Sequence, residues 1–87
     1  MAGRAGGGTL LKTGRTDEAI AELEAALRYR PEDADLHNNI AVALAGQGRL
    51  DEAIAHFSQA LRIRPDYQEV RRNLDYARRL QKNSRVP

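Results

Sequence analysis

The sequence lacks cysteine and tryptophan altogether, and it has a single phenylalanine among its 87 residues. Without cysteine, disulfides, thiolate nucleophiles and thiolate metal sites are excluded, and a reducing compartment is allowed. The scarcity of aromatic side chains means that leucine, isoleucine and alanine must supply the core. The composition therefore favours one small domain of closely packed helices.

Long hydrophobic runs are missing as well. No apolar stretch approaches the roughly 18 residues of a membrane span, and the N-terminus has no apolar signal-peptide core. The formal net charge of +2 is too small to indicate nucleic-acid binding by itself. We therefore expect a cytoplasmic protein or a soluble part of a larger one, without direct membrane insertion and without a nucleic-acid partner.

What the sequence does contain is an internal repeat. Pro31 and Pro65 close two similar segments, and most residues from Gly14 to Glu32 return at the same offset. The spacing from Pro31 to Pro65 is hereafter called the repeat interval. The segment 14–21 reads GRTDEAIA, and the segment 48–55 reads GRLDEAIA. A long match at one fixed offset predicts a helical-repeat array.

The hydrophobic pattern and the helix-ending residues predict the following segments. Four glycines among the first eight residues predict a flexible arm over 1–8, since glycine is a poor helix former. A short helical turn over 9–13 should end at Gly14, because glycine readily adopts the left-handed conformation that ends helices. Further helices are predicted over 17–28, 33–45, 51–62 and 66–82, with Asp33 as an N-cap. Residues 83–87 should fray.

These residues resemble a tetratricopeptide repeat, a pair of antiparallel helices in a unit of about 34 residues. The matching positions are Ala41, Gly48, Ala53, Phe57, Ala60 and Pro65. His37 stands where the family often has an aromatic residue. The resemblance implies an all-α, right-handed solenoid with a partial repeat over 9–31, a full repeat over 34–65 and a capping helix over 66–82, within a domain of 9–82.

No pattern of catalytic or metal-binding residues is present. His37 and His56 lie on different predicted helices and lack a metal-ligand spacing, so His37 is interpreted as a packing residue and His56 as solvent-facing. The pairs Asp17–Glu18 and Asp51–Glu52 open helices, where the helix dipole favours acids. We expect no enzymatic activity, no cofactor and no metal site.

The resemblance implies that the first helix of each pair lines a concave groove for a partner peptide. The predicted groove residues are Asp35, Asn38, Asn39, Val42, Ala45, Glu69, Arg72, Asn73 and Tyr76. Asn39 and Asn73 recur at the repeat interval, so bonding between neighbouring helices is at least as good an interpretation for those two.

Two other binding modes are less well supported. The clamp with which some relatives hold the C-terminus of heat-shock chaperones is rejected, because its lysine and arginine positions on the last helix carry Glu69 and Asn73, and its first pair falls on Arg4 and Gly8. The basic residues of the last helix, such as Arg71 and Arg78, could contact phosphate or anionic lipid. Asp66, Glu69 and Asp75 interrupt that patch, which favours a solvated helix back.

The interpretation is a non-enzymatic protein–protein interaction module that presents a groove to a peptide or helix. The alternative is a self-associating scaffold segment of a larger assembly or membrane-associated protein. Self-association, as a homodimer, is expected because the helix over 17–28 lacks a complete neighbour. The residues expected to mediate it are Leu10, Leu11, Ile20, Leu23 and Leu27.

Overall fold

The computed structural model describes the backbone of residues 2–85 and the side chains of residues 15–83. Four helices follow one another: α1 (Ala2–Tyr29), α2 (Ala34–Gly46), α3 (Leu50–Ile63) and α4 (Gln68–Arg85). No strand occurs within residues 2–85. Each helix packs on the next, and α2 also contacts α4 across α3. This is the all-α helical-repeat fold that the sequence predicts.

The ends of α2 and α3 follow from local chemistry. Asp33 caps α2, and its Oδ1 accepts a hydrogen bond from the backbone N–H of Leu36 at 3.1 Å. Gly48 has a φ of +81°, a left-handed conformation that glycine adopts without strain, and it turns the chain from α2 into α3. The helix α3 ends at Ile63, shortly before Pro65, whose ring cannot continue the helix.

The first helix differs from the sequence prediction. The glycines predict an arm over 1–8 and a helix end at Gly14, but α1 runs from Ala2 to Tyr29 as one helix of 28 residues. The predicted end at Gly14 is wrong. An established helix gains a hydrogen bond for each residue added, whereas a glycine in its interior costs only about 1 kcal/mol relative to alanine.

Most of the core lies between α2, α3 and α4, and Ile20 of α1 also belongs to it. Ile40, Ala41, Ala53, Ala60 and Val70 are all fully buried. Phe57, the single phenylalanine, is 2% exposed and is among the largest buried side chains. Small side chains at Ala41, Ala53 and Ala60, three of the positions that match the family, allow the helices to approach closely.

Polar contacts between successive helices also recur at the repeat interval. Gln47 Nε2 donates a hydrogen bond to Asp17 Oδ1 at 2.7 Å, and Gln81 Nε2 donates one to Asp51 Oδ1. Both partners of the second contact lie one repeat interval after those of the first. The repeat is therefore present in surface hydrogen bonds as well as in packing.

Candidate functional site

A groove between α2 and α4 holds an apolar pocket of about 360 Å³. The pocket is lined by Val42, Ala45, Gly46, Phe57, Asn73, Tyr76, Ala77 and Leu80. Phe57 and Ala77 are buried, whereas Val42 is 49% exposed and Tyr76 is 61% exposed. A pocket with buried apolar side chains and exposed apolar side chains can receive an apolar side chain from outside.

Helix geometry explains why these side chains meet. Val42 and Gly46 are four residues apart on α2, and Tyr76 and Leu80 are four apart on α4, so each pair shares one helix face. The two faces adjoin because α2 and α4 are equivalent helices of successive repeats that both pack on α3. Phe57 of α3 lies between them.

The structure brings four of the nine predicted groove residues together in this pocket: Val42, Ala45, Asn73 and Tyr76. Asn39, Glu69 and Arg72 are exposed and do not line it. The sequence interpretation missed Gly46, Phe57, Ala77 and Leu80 as pocket residues. The spacing of four between Tyr76 and Leu80 was a signal for Leu80.

Two predicted groove residues, Asn38 and Asp35, do not line the pocket and are hydrogen-bonded to other side chains of the chain. Asn38 is only 5% exposed, and its Oδ1 accepts a hydrogen bond from Asn73 Nδ2 at 3.2 Å. This bond joins α2 to α4, so the amide contact between neighbouring helices involves Asn38 rather than Asn39. Burial of Asn38 removes it from the surface that a ligand can reach.

Asp35 belongs to a contact between α2 and the loop before α4. Its Oδ1 accepts a hydrogen bond from the Tyr67 hydroxyl at 2.5 Å and lies 3.9 Å from Arg64 Nη1. The Arg64 guanidinium also lies 4.4 Å above the Tyr67 ring. The Asp35 hydrogen bond raises the pKa of the Tyr67 hydroxyl.

The two histidines form a pair between α2 and α3. His37 Nε2 lies 3.1 Å from the Pro31 carbonyl oxygen, which can only accept, so Nε2–H is the donor. In the neutral ring His37 Nδ1 then has a lone pair, and His56 Nδ1, 3.1 Å away, donates to it. His37 is 7% exposed, which agrees with a packing role.

The expectation that His56 faces solvent is wrong, because its side chain is half-buried and hydrogen-bonded. Burial lowers the pKa of His56, and the adjacent His37 lowers it further, against the opposing charges of Glu24 and Glu52. Among the described residues, no group of three or more histidine and acidic side chains could hold a metal ion.

The residues predicted to mediate self-association differ from one another in burial. Ile20 is 6% exposed and belongs to the core, whereas Leu23 and Leu27 are half-buried at its edge. The side chains of Leu10 and Leu11 lie outside the described residues. Ala19, on the same helix, is exposed.

The exposed arginines of α4 are not part of the pocket lining. Arg71, Arg72, Arg78 and Arg79 are exposed, and none of them lines the pocket. Within the part of the chain that the structure describes, no helix is long and apolar enough to cross a membrane.

Comparison with known proteins adds a family to this geometry. No curated protein matches the sequence. A family model described as "Tetratricopeptide repeat" matches residues 5–68, which include the whole of α2 and α3. Domains of this family generally mediate protein–protein interaction and are generally not enzymes. Because the match covers most of the chain and equivalent helices recur at the repeat interval, the chain belongs to the tetratricopeptide repeat family.

Proposed function

We propose that this chain is a non-enzymatic binding module that holds a peptide or helix of a partner protein in the groove between α2 and α4. The observation that supports this proposal is the apolar pocket bordered by Val42, Tyr76 and Leu80. Large apolar side chains exposed next to a preformed pocket are typical of protein contact sites. The bound segment would place one apolar side chain in the pocket.

The border of the groove suggests a secondary feature of the ligand. Arg72 and Glu69 are exposed at the start of α4, one turn or two before Tyr76. A guanidinium can bind a carboxylate with two parallel hydrogen bonds. We therefore propose a peptide with an apolar anchor and an acidic residue near it.

Selection from a random peptide library, followed by affinity measurement on the purified chain, tests the proposal. Tyr76→Ala removes one wall of the pocket and should weaken the selected peptides roughly tenfold or more, as truncation of an aromatic residue central to an interface does. Tyr29→Ala is the matched control, because Tyr29 is 88% exposed at the end of α1. Failure to select any peptide, or equal loss in both variants, would contradict the groove.

Charge reversal separates the groove from a general basic surface. Arg72→Glu should weaken an acidic peptide, whereas Arg78→Glu, on the same helix, should not. Equal weakening by both, with a steep dependence on salt, would indicate a diffuse electrostatic surface.

Self-association as a scaffold segment is the second candidate function. It is favoured by the exposure of Ala19 on α1, because its repeat equivalent Ala53 is fully buried. The two functions are compatible, since the groove and this surface lie on different helices.

A further inference from the structure

We propose that two copies of the chain associate symmetrically through an apolar strip on α1 made of Ala19, Leu23 and Ala26. This inference deepens the second candidate function, because it assigns the surface, the stoichiometry and the partner. The strip is hereafter called the α1 strip.

The internal repeat shows that the α1 strip is a packing surface that is only partly covered. Its equivalents on α3, one repeat interval later, are Ala53, Phe57 and Ala60, which are 0%, 2% and 0% exposed. In the α1 strip Ala19 is exposed, and Leu23 and Ala26 are half-buried. The difference arises because α3 is flanked by α2 and α4, whereas among the described elements α1 packs on α2 alone.

The preceding segment of the same chain lacks the side chains for this cover. On α2, which packs on α3, the residues His37, Ile40, Ala41 and Leu44 are buried. Moved back by one repeat interval, these positions are Gly3, Gly6, Gly7 and Leu10. Three of the four have no side chain, so this segment cannot bury the α1 strip as α2 buries its counterpart. Moreover, residues 2–14 continue α1 as one helix instead of turning back on it.

The other end of the molecule does not offer a cover for the α1 strip. On α4 the positions equivalent to His37, Ala41 and Leu44 are Arg71, Asp75 and Arg78, and all three are exposed. Packing the α1 strip of one copy onto this face of another would take charged groups out of water, which is costly unless each is paired. A second α1 strip can cover the first without this cost, because it presents the same apolar side chains.

Contact between two like strips is isologous, so it closes at two copies and leaves no strip free to add a third. Acidic side chains border the strip at Glu18 and Glu22. Two such borders repel each other weakly, and added salt screens that repulsion. Association through the strip should therefore be maintained or strengthened as salt rises. Head-to-tail attraction between this acidic border of the strip and the basic α4 would instead weaken as salt rises.

Sedimentation velocity of the full chain over a dilution series tests the inference. The chain should sediment as a monomer–dimer equilibrium with no larger species. Ala19→Glu places a carboxylate in the strip and should raise the dimer dissociation constant by about tenfold or more, because two unpaired charges would be buried in each dimer. Ala21→Glu is the matched control, because Ala21 is also exposed but lies on another face of α1. The dimer dissociation constant of this variant should equal that of the parent.

Different outcomes test self-association, the α1 strip as its surface and the two-fold symmetry separately. A monomer at every concentration overturns self-association itself, and a dimer weakened equally by both substitutions overturns the α1 strip. Species that grow beyond two copies, or a dimer that dissociates as salt rises, overturn the symmetric arrangement. Circular dichroism of both variants is the control for folding, and we expect the helix content of each to equal that of the parent. Peptide binding through Tyr76 is measured separately, so failure of the dimer does not count against the groove.

Cross-linking gives an independent measurement, because the chain has no cysteine of its own. Leu23 is the middle residue of the strip and therefore lies nearest to the two-fold axis. Mild oxidation of a Leu23→Cys variant should give a covalent dimer much faster than oxidation of an Ala21→Cys variant. Equal rates would overturn the placement.

Discussion

The contact between His37 and His56 places a titratable ring in a half-buried position between two helices. The Pro31 carbonyl oxygen and the ring of His56 occupy both nitrogens of His37 when the pair is neutral. If both rings were protonated, two N–H groups and two positive charges would face each other between α2 and α3. A proton added to His56 would therefore bring a positive charge against the ring of His37.

This contact makes stability dependent on pH. The ordinary pKa of 6.5 of His56 is lowered in the folded protein, chiefly by burial and then by His37 on α2, against Glu24 on α1 and Glu52 on α3. A lowered histidine pKa means that the unfolded chain binds more protons below about pH 6.5, so acid favours unfolding. We expect the thermal midpoint to be highest above that pH and to fall as the pH decreases through the lowered pKa.

The contribution of Glu52 can be separated from this effect. The Arg49 hydrogen bond lowers the pKa of Glu52 below its ordinary 4.5, so the contribution of Glu52 is lost only in stronger acid. A His56→Gln variant, which keeps a donor but does not titrate, should lose most of the dependence between pH 6.5 and 4.5. An unchanged slope in that variant would contradict the assignment to His56.

At the scale of the element, equivalent helices differ in how many neighbours they have. Ala60 of α3 is 0% exposed between helices, whereas its repeat equivalent Ala26 on α1 is half-buried. The residue type and the local sequence around both are nearly the same, with Ala-Leu-Arg in each case. Tertiary surroundings alone distinguish them.

This difference predicts unequal costs for the same substitution. Ala60→Leu overpacks the contacts of α3 and should destabilise the chain by about 1–3 kcal/mol. Ala26→Leu meets an open side and should cost clearly less. Urea denaturation at low protein concentration, where dimers are dissociated, measures both free energies of unfolding. Equal costs would mean that Ala26 is as enclosed as Ala60.

Sequence reasoning succeeded where the determinants are local. The bounds of α2 and α3 are predictable to within one residue at each end, because Asp33, Gly48 and Pro65 act on the backbone next to them. It failed where local signals compete. Gly14 is a plausible helix end, but in α1 it is accommodated by a helix that continues on both sides.

For the candidate site, the part that follows from helix periodicity was predictable. The repeat positions of Val42 and Tyr76 place them in the groove, and they border the pocket. Contacts between helices were not predictable in the same way. The bonds of Asn73 to Asn38, and of His56 to His37, depend on how far each side chain reaches across a helix crossing. Spacing along the sequence does not determine that distance.

At the scale of the whole molecule, the two ends of the array are unlike. The last helix carries charged residues such as Arg71, Asp75 and Arg78 on the face that α2 uses for packing, so solvent can cover it. The first packing helix instead presents the α1 strip. We infer that the charged face of α4 lets solvent cover one end of this array and that association covers the α1 strip at the other.

This asymmetry predicts that a complete helix before Gly14 would cover the α1 strip within one chain, so that a second copy is no longer needed. Gly6→Ile and Gly7→Ala together restore the side chains found at the equivalent Ile40 and Ala41, which are fully buried on α2. With Gly14 as the turn, equivalent to Gly48, the restored helix can fold back on the α1 strip. The double variant should melt at a higher temperature and sediment mainly as a monomer. Gly8→Val is the control: it adds apolar bulk at the position equivalent to Val42, which faces the groove, and should leave the dimer intact. A double variant that dimerises as strongly as the parent would show that the missing helix is not what the second copy replaces.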